Sequence, residues 1–75
     1  VTLPTSPING QVYQYVGTGT AWTINAATGQ IIRDLGFTGN RITSGNNYSS
    51  ISLVYIGSNT WSIFRAHGTY NLIQV

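Results

Sequence analysis

The chain is short of groups that do covalent chemistry. Asp34 is its single side-chain carboxylate, His67 its single histidine, and it has no cysteine. Retaining and inverting glycosidases use two carboxylates flanking the scissile bond, and one chain does not supply the pair. A symmetric trimer would bring three copies of Asp34 to an axis, where like charges raise one another's pKa and nothing in the sequence calls for the arrangement. His67 beside any of the serines, with Asp34 as orienting acid, makes a formal nucleophile and base. Serines are abundant, however, and His67 precedes Gly68 in a turn-like position, so it reads as a turn or subunit-interface residue. Without cysteine, one histidine does not make a structural metal site. The reading is non-enzymatic, with no cofactor.

Groups suited to binding are plentiful. Nine aromatic residues stand in 75 positions, with 28 residues of Thr, Ser, Asn and Gln. Sugars present C–H faces that stack on aromatic rings and hydroxyls that meet amides and hydroxyls. Trp61 reads as core. Trp22, after the glycine-rich Gly17-Thr18-Gly19-Thr20, has three readings open: core, interface, or an exposed platform for a ligand. Tyr48 and Tyr70 flank turns and are the best candidates for exposed rings. Asn46 and Asn47 share a loop with Tyr48, and Arg41 offers a guanidinium fork that suits planar anions such as an acidic sugar; Arg65 offers the same. The candidate ligand-binding set is therefore Trp22, Arg41, Asn46, Asn47, Tyr48 and Tyr70. Tyr13 and Tyr15 alternate along one strand and so share a face, which is either a ligand surface or a subunit seam; the seam is the favoured reading, and with His67 it forms the candidate subunit interface. Arg33-Asp34, the one adjacent pair of opposite charges, reads as a solvated loop with a weak ion pair. Asn47-Tyr48-Ser49 matches a glycosylation sequon, which has meaning only in a eukaryotic secretory setting.

The elements that must carry these residues are strands. Between Asn47 and Ala66, Ile51, Leu53 and Tyr55 alternate with Ser50, Ser52 and Val54, and beyond Gly57-Ser58-Asn59-Thr60, Trp61 and Ile63 alternate with Ser62 and Phe64. Period-two alternation about a short polar connection predicts a β-hairpin. The same reasoning predicts strands over Gln11–Val16, Ala21–Asn25, Gln30–Arg33, Arg41–Thr43 and Tyr70–Val75. It leaves Asp34–Gly39 as a loop anchored by Phe37, and Asn25–Thr28 as a turn or a single helical turn. About seven short strands with turn signals every 8 to 12 residues predict an all-β fold, a small antiparallel sandwich or barrel-like module, as one domain over residues 1 to 75.

Length and charge then bear on assembly. A domain of this size hides only about 60% of the surface its unfolded chain exposes, and small domains generally need a staple. Disulfides and Cys/His metal sites are absent, which leaves oligomerisation. Only four residues are charged, and a net charge of +2 is too small for the basic footprint of a nucleic-acid binder. No apolar run approaches the ~18 residues of a membrane-spanning helix, so membrane insertion is not expected. The start at Val1 and the absence of methionine fit a piece cut from a longer chain.

The order of short motifs adds a family. Val1-Thr2-Leu3-Pro4, Pro7-Ile8-Asn9-Gly10, Thr23-Ile24-Asn25, Gly29-Gln30-Ile31-Ile32, Ser52-Leu53-Val54-Tyr55 and Trp61-Ser62-Ile63 span nearly the whole chain. Together they resemble the small β-modules at the C-terminal ends of bacteriophage tail fibres and tailspikes. The resemblance implies a homotrimeric distal module of the virion that helps assemble the fibre, binds host cell-surface polysaccharide or lipopolysaccharide, or does both. One departure stands out: where such modules carry an acidic residue after the tyrosine, this chain has Ile56-Gly57. The competing expectations are a purely structural trimerisation module and a free-standing bacterial carbohydrate-binding domain.

Overall fold

A computed structural model describes all 75 residues, and it is all-β with no helix. Eight strands occur in chain order: β1 (Val12–Val16), β2 (Thr23–Asn25), β3 (Ile31–Asp34), β4 (Phe37–Gly39), β5 (Arg41–Ser44), β6 (Ser50–Tyr55), β7 (Thr60–His67) and β8 (Tyr70–Ile73). They form a five-stranded sheet, β1-β6-β7-β3-β4, and a three-stranded sheet, β2-β5-β8. The pairs are antiparallel except β3 with β7, which run parallel with Ile32 opposite Trp61. The expectation of a purely antiparallel fold is corrected at that pair. Asn25–Thr28 forms no helical turn; the Gln30 amide instead closes a turn on the Ala27 carbonyl at 2.9 Å.

The β6–β7 hairpin is where its alternation placed it. Its connection runs through three consecutive left-handed residues, Gly57, Ser58 and Asn59, a conformation that glycine and asparagine tolerate best. The Asn59 amide donates to the Tyr55 hydroxyl at 3.0 Å, so the strand before the turn supplies its own clasp. Farther along, the register slips between Ser52 and Leu53: Leu53 faces Ile63 and Ser52 faces Arg65, leaving Phe64 as the extra residue. This β-bulge puts Phe64 out in solvent, 53% exposed, and extra residues of this kind commonly re-aim a side chain.

One core joins the sheets. Ile51, Leu53, Tyr55, Trp61 and Ile32 enter it from the larger sheet, Ile24 and Ile42 from the smaller, and Leu3 and Trp22 from outside the strands. Trp61 is fully buried at its centre, with Tyr55 edge-on at 5.3 Å. A buried indole N–H needs an acceptor, and Gln30 provides it: Trp61 Nε1 donates to Gln30 Oε1 at 3.0 Å while Gln30 Nε2 donates to the Pro4 carbonyl at 2.9 Å. Gln30 thus ties the N-terminal segment to the core. No buried side-chain nitrogen or oxygen lacks a partner.

The sheets also meet along their margins. β4 and β5 are one run of chain that changes sheet at Asn40. The Asn40 amide donates to the Ile73 carbonyl and its carbonyl accepts from Ala26, both at 2.9 Å. Its side chain behaves like a further length of strand, Oδ1 accepting from the Val75 amide at 2.8 Å and Nδ2 donating to the Val75 carbonyl at 3.3 Å. Next to it, Gly39 lies so close to β8 that a Cβ would overlap the Ile73 carbonyl oxygen.

Asp34–Gly39, read as a loop, is a β-hairpin. Phe37 pairs with Asp34 across a two-residue turn and is 74% exposed rather than an anchor in the core. Leu35 at its tip is 88% exposed and takes a φ of 55°, which costs an L-residue with a Cβ about 1 to 2 kcal/mol. Replacing Leu35 with glycine is expected to raise the urea midpoint, by the equivalent of about 1 kcal/mol after the added freedom of the unfolded chain is deducted; a lowered midpoint would show that Leu35 contributes contacts that outweigh its strain.

Candidate functional site

The principal concavity lies between the free margins of the two sheets. β4 ends the five-stranded sheet and β8 ends the three-stranded one, and between them is an open cleft of about 540 Å³ lined by Asp34, Phe37, Thr38, Tyr70, Asn71, Leu72 and Ile73. Asn40 and Gly39 draw the margins together at one end. At the other the Tyr70 hydroxyl donates to Asp34 Oδ2. One end of the cleft is therefore closed by β4 against β8, and the other by the bond from β8 to Asp34, the last residue of β3 and the register partner of Phe37 in β4.

Strand geometry explains why this carboxylate faces inward. Successive residues of a strand point to opposite faces, so Arg33 and Asp34 part company: Arg33 shares the outer face with Ser62 and Thr38, its register partners, while Asp34 reaches Tyr70. The expected local ion pair does not form. Tyr70, half-buried beside this carboxylate, has its phenol pushed up to about 12, first by burial and then by the hydrogen bond to Asp34 and its negative charge.

The residues singled out from sequence scatter. Tyr70 lies in the cleft, but it is half-buried, not freely exposed. Trp22 is a core residue, 6% exposed; its Nε1 donates to the Ser49 carbonyl at 2.8 Å and its ring lies against Tyr15 at 5.3 Å, so it offers no platform to a sugar. Arg41 stands at a smaller recess of about 190 Å³ with Asn25, Asn40 and Val75, and its Nε donates to Asn25 Oδ1 at 2.7 Å. Asn46, Asn47 and Tyr48 form an exposed loop before β6. There Asn46 Oδ1 accepts from the Tyr48 amide at 2.9 Å, the Asn47 carbonyl accepts from Gly19 at 3.1 Å, and the Tyr48 ring lies over Gly19. These groups do not converge.

The residues of the candidate seam do not share one exposed surface of the single chain. Tyr13 and Tyr15 turn inward, half-buried against the core, and burial pushes the Tyr13 phenol up, with Tyr15 beside it adding to the rise. The outward residues of β1 are Val12, Gln14 and Val16. His67 is not in a turn but is the last residue of β7, exposed and paired with Ser50.

Sequence reasoning missed Asp34, Phe37, Thr38 and Asn71 as site residues. The available signal was a lone carboxylate three residues before Phe37 and its following Thr-Gly pair, and it pairs with Tyr70 only in three dimensions. Comparison with protein-family models, with characterised proteins and with solved structures returned no match.

The Tyr70–Asp34 bond makes a pH prediction. The folded-state pKa lies above the ordinary 10.0, so the folded chain holds this proton more tightly than the unfolded one, and the contribution is complete below pH 10 and lost as pH rises towards about 12. In urea unfolding series from pH 9 to pH 12, Tyr70→Phe is expected to start less stable than the parent and to lose less stability over that range. Parallel curves would mean that the bond contributes nothing to folding.

Proposed function

We propose that the chain is a distal module of a bacteriophage tail fibre or tailspike, a small β-sandwich that works as a homotrimer and binds host-surface glycan in the cleft between β4 and β8. The observation that carries the binding role is chemical. The only side-chain carboxylate in the chain is fixed by a tyrosine hydroxyl in a concave site, beside an exposed phenylalanine ring, a threonine and an asparagine. A ring that stacks on sugar C–H faces, with acceptors and donors for hydroxyls around it, is the arrangement a saccharide site needs. A few placed polar groups on an otherwise apolar wall also describe small-ligand sites in general.

The association role draws on a different surface. Val12, Val16, Ile31 and Phe64 are 40 to 63% exposed on the outward side of the five-stranded sheet; the strands of Ile31 and Phe64, β3 and β7, are neighbours, and β6 lies between β7 and the β1 of the two valines. An exposed apolar surface of this kind is expected to be covered by other chains. This surface also favours the second reading, a purely structural trimerisation module, in which the host is recognised elsewhere on the fibre.

Two substitutions separate the roles. Phe64→Asp is expected to convert a trimer, measured by native mass spectrometry, into single chains. Phe37→Ala is expected to leave the mass unchanged and to reduce retention on host cell-surface polysaccharide at least tenfold. Undiminished retention of Phe37→Ala would remove the cleft from the binding role, and a single-chain parent in native buffer would remove the trimer.

A further inference from the structure

We infer that the cleft takes one uncharged pyranose unit and discriminates against acidic sugars, an inference that rests on the glycan reading of the cleft.

Charge is the first ground. Asp34 brings a negative group into the cleft, and no cation accompanies it. Arg33 and Arg65 lie on the outer face of the larger sheet, in register with Ser62 and Ser52 respectively, and Arg41 is at the smaller recess, bonded to Asn25. A uronic or sialic acid carboxylate would stand near Asp34 without the guanidinium fork that ordinarily receives it. An uncharged sugar meets no such opposition. Its hydroxyls are donors, and a carboxylate accepts from a hydroxyl more strongly than a neutral oxygen does.

The second ground is which acceptor is left free. Tyr70 takes Oδ2 of Asp34, which fixes the carboxylate rotamer and leaves Oδ1 to a ligand hydroxyl. The Thr38 hydroxyl and the Asn71 amide border the same space and supply both donors and acceptors. Phe37 stands at the rim with 74% of its surface exposed, an aromatic face with no intramolecular use. Tyr70 acts here as a positioning residue for Asp34.

The third ground is shape. Two free sheet margins facing each other would ordinarily invite an added peptide strand. Here an extended chain has no passage, because Gly39 of β4 lies against Ile73 of β8 at one end, and at the other Tyr70 of β8 is bonded to Asp34, the last residue of β3 and the register partner of Phe37 in β4. A slot tied at both ends admits a compact ring entering from the open side and excludes a strand running through.

The test is an amide-resolved NMR titration of the full chain with the methyl glycosides of glucose, galactose and mannose, and in parallel with galacturonic acid and N-acetylneuraminic acid. At least one neutral glycoside is expected to shift the amides of Thr38 and Asn71, with both acids at least tenfold weaker. Asp34→Asn, which keeps the size of the side chain, is expected to weaken the neutral ligand about tenfold and to narrow its margin over the acids. Phe37→Ala, at an exposed position, is expected to weaken the neutral ligand with the rest of the spectrum unchanged. Acids that bind as tightly as neutral sugars overturn the inference while leaving the cleft a glycan site. Neutral sugars that shift only amides outside β4 and β8 overturn the cleft as the site. No shift with any of the five overturns the glycan reading and this inference with it.

Discussion

One asparagine holds the two sheets in the relation on which the cleft depends. Asn40 is where a continuous run of chain leaves the larger sheet and joins the smaller, and each of its polar atoms bonds at that junction: its amide to Ile73, its carbonyl from Ala26, and its side-chain amide in a two-way pairing with Val75. Gly39 beside it permits the approach, because a side chain there would meet the Ile73 carbonyl. Beyond this junction β4 and β8 part. Full pairing would have merged the sheets and left no concavity, whereas complete separation would have left two unprotected margins, which proteins avoid.

Asn40 is one case of a wider pattern that draws on the chain's uncharged polar residues. Amide and hydroxyl side chains do much of the internal tying. Gln30 links Trp61 to Pro4, and the Ser49 hydroxyl donates to the Thr69 carbonyl at 2.6 Å and accepts from the Thr69 amide at 3.1 Å. The Ser44 hydroxyl accepts from the Trp22 amide at 3.0 Å. Each sits in or near the core, where a charge would cost far more to bury than a neutral group that finds its partner. Some of the chain's 28 uncharged polar residues are thus used to stitch the fold together. The same economy leaves Asp34 conspicuous: in a chain with so few charges, its only carboxylate is held in a concave site by a tyrosine.

Local pattern and tertiary direction had different visibility in the sequence. The β6–β7 hairpin, the burial of Trp61 and seven of the eight strand positions follow from alternation and turn residues, which are local properties. β4 was hidden because three residues, Phe37-Thr38-Gly39, show too little alternation, and because Leu35 occupies a turn position where glycine or asparagine would have signalled a hairpin. Alternation sorts Tyr13 and Tyr15 onto one face of β1 but does not say which face meets the core; Trp22 and Ile51 settle that in space. The bulge at Phe64 has no marker in a sequence that keeps its alternation through Arg65. The Asp34–Tyr70 pair joins residues 36 positions apart, and Asp34 looked spoken for by its neighbour Arg33 until the strand turned the two to opposite faces.

Hydrogen exchange followed amide by amide tests the junction most directly. With Asn40 clamped to Ile73, its amide is expected to exchange as slowly as strand amides of the β6–β7 hairpin, and Gly39→Ala is expected to speed exchange at Asn40 and Val75 while the hairpin keeps its protection. An Asn40 amide that exchanges in the parent chain as fast as those of the exposed Asn46–Tyr48 loop would contradict the account, because the margins of the two sheets would then have nothing to hold them at the separation the cleft requires.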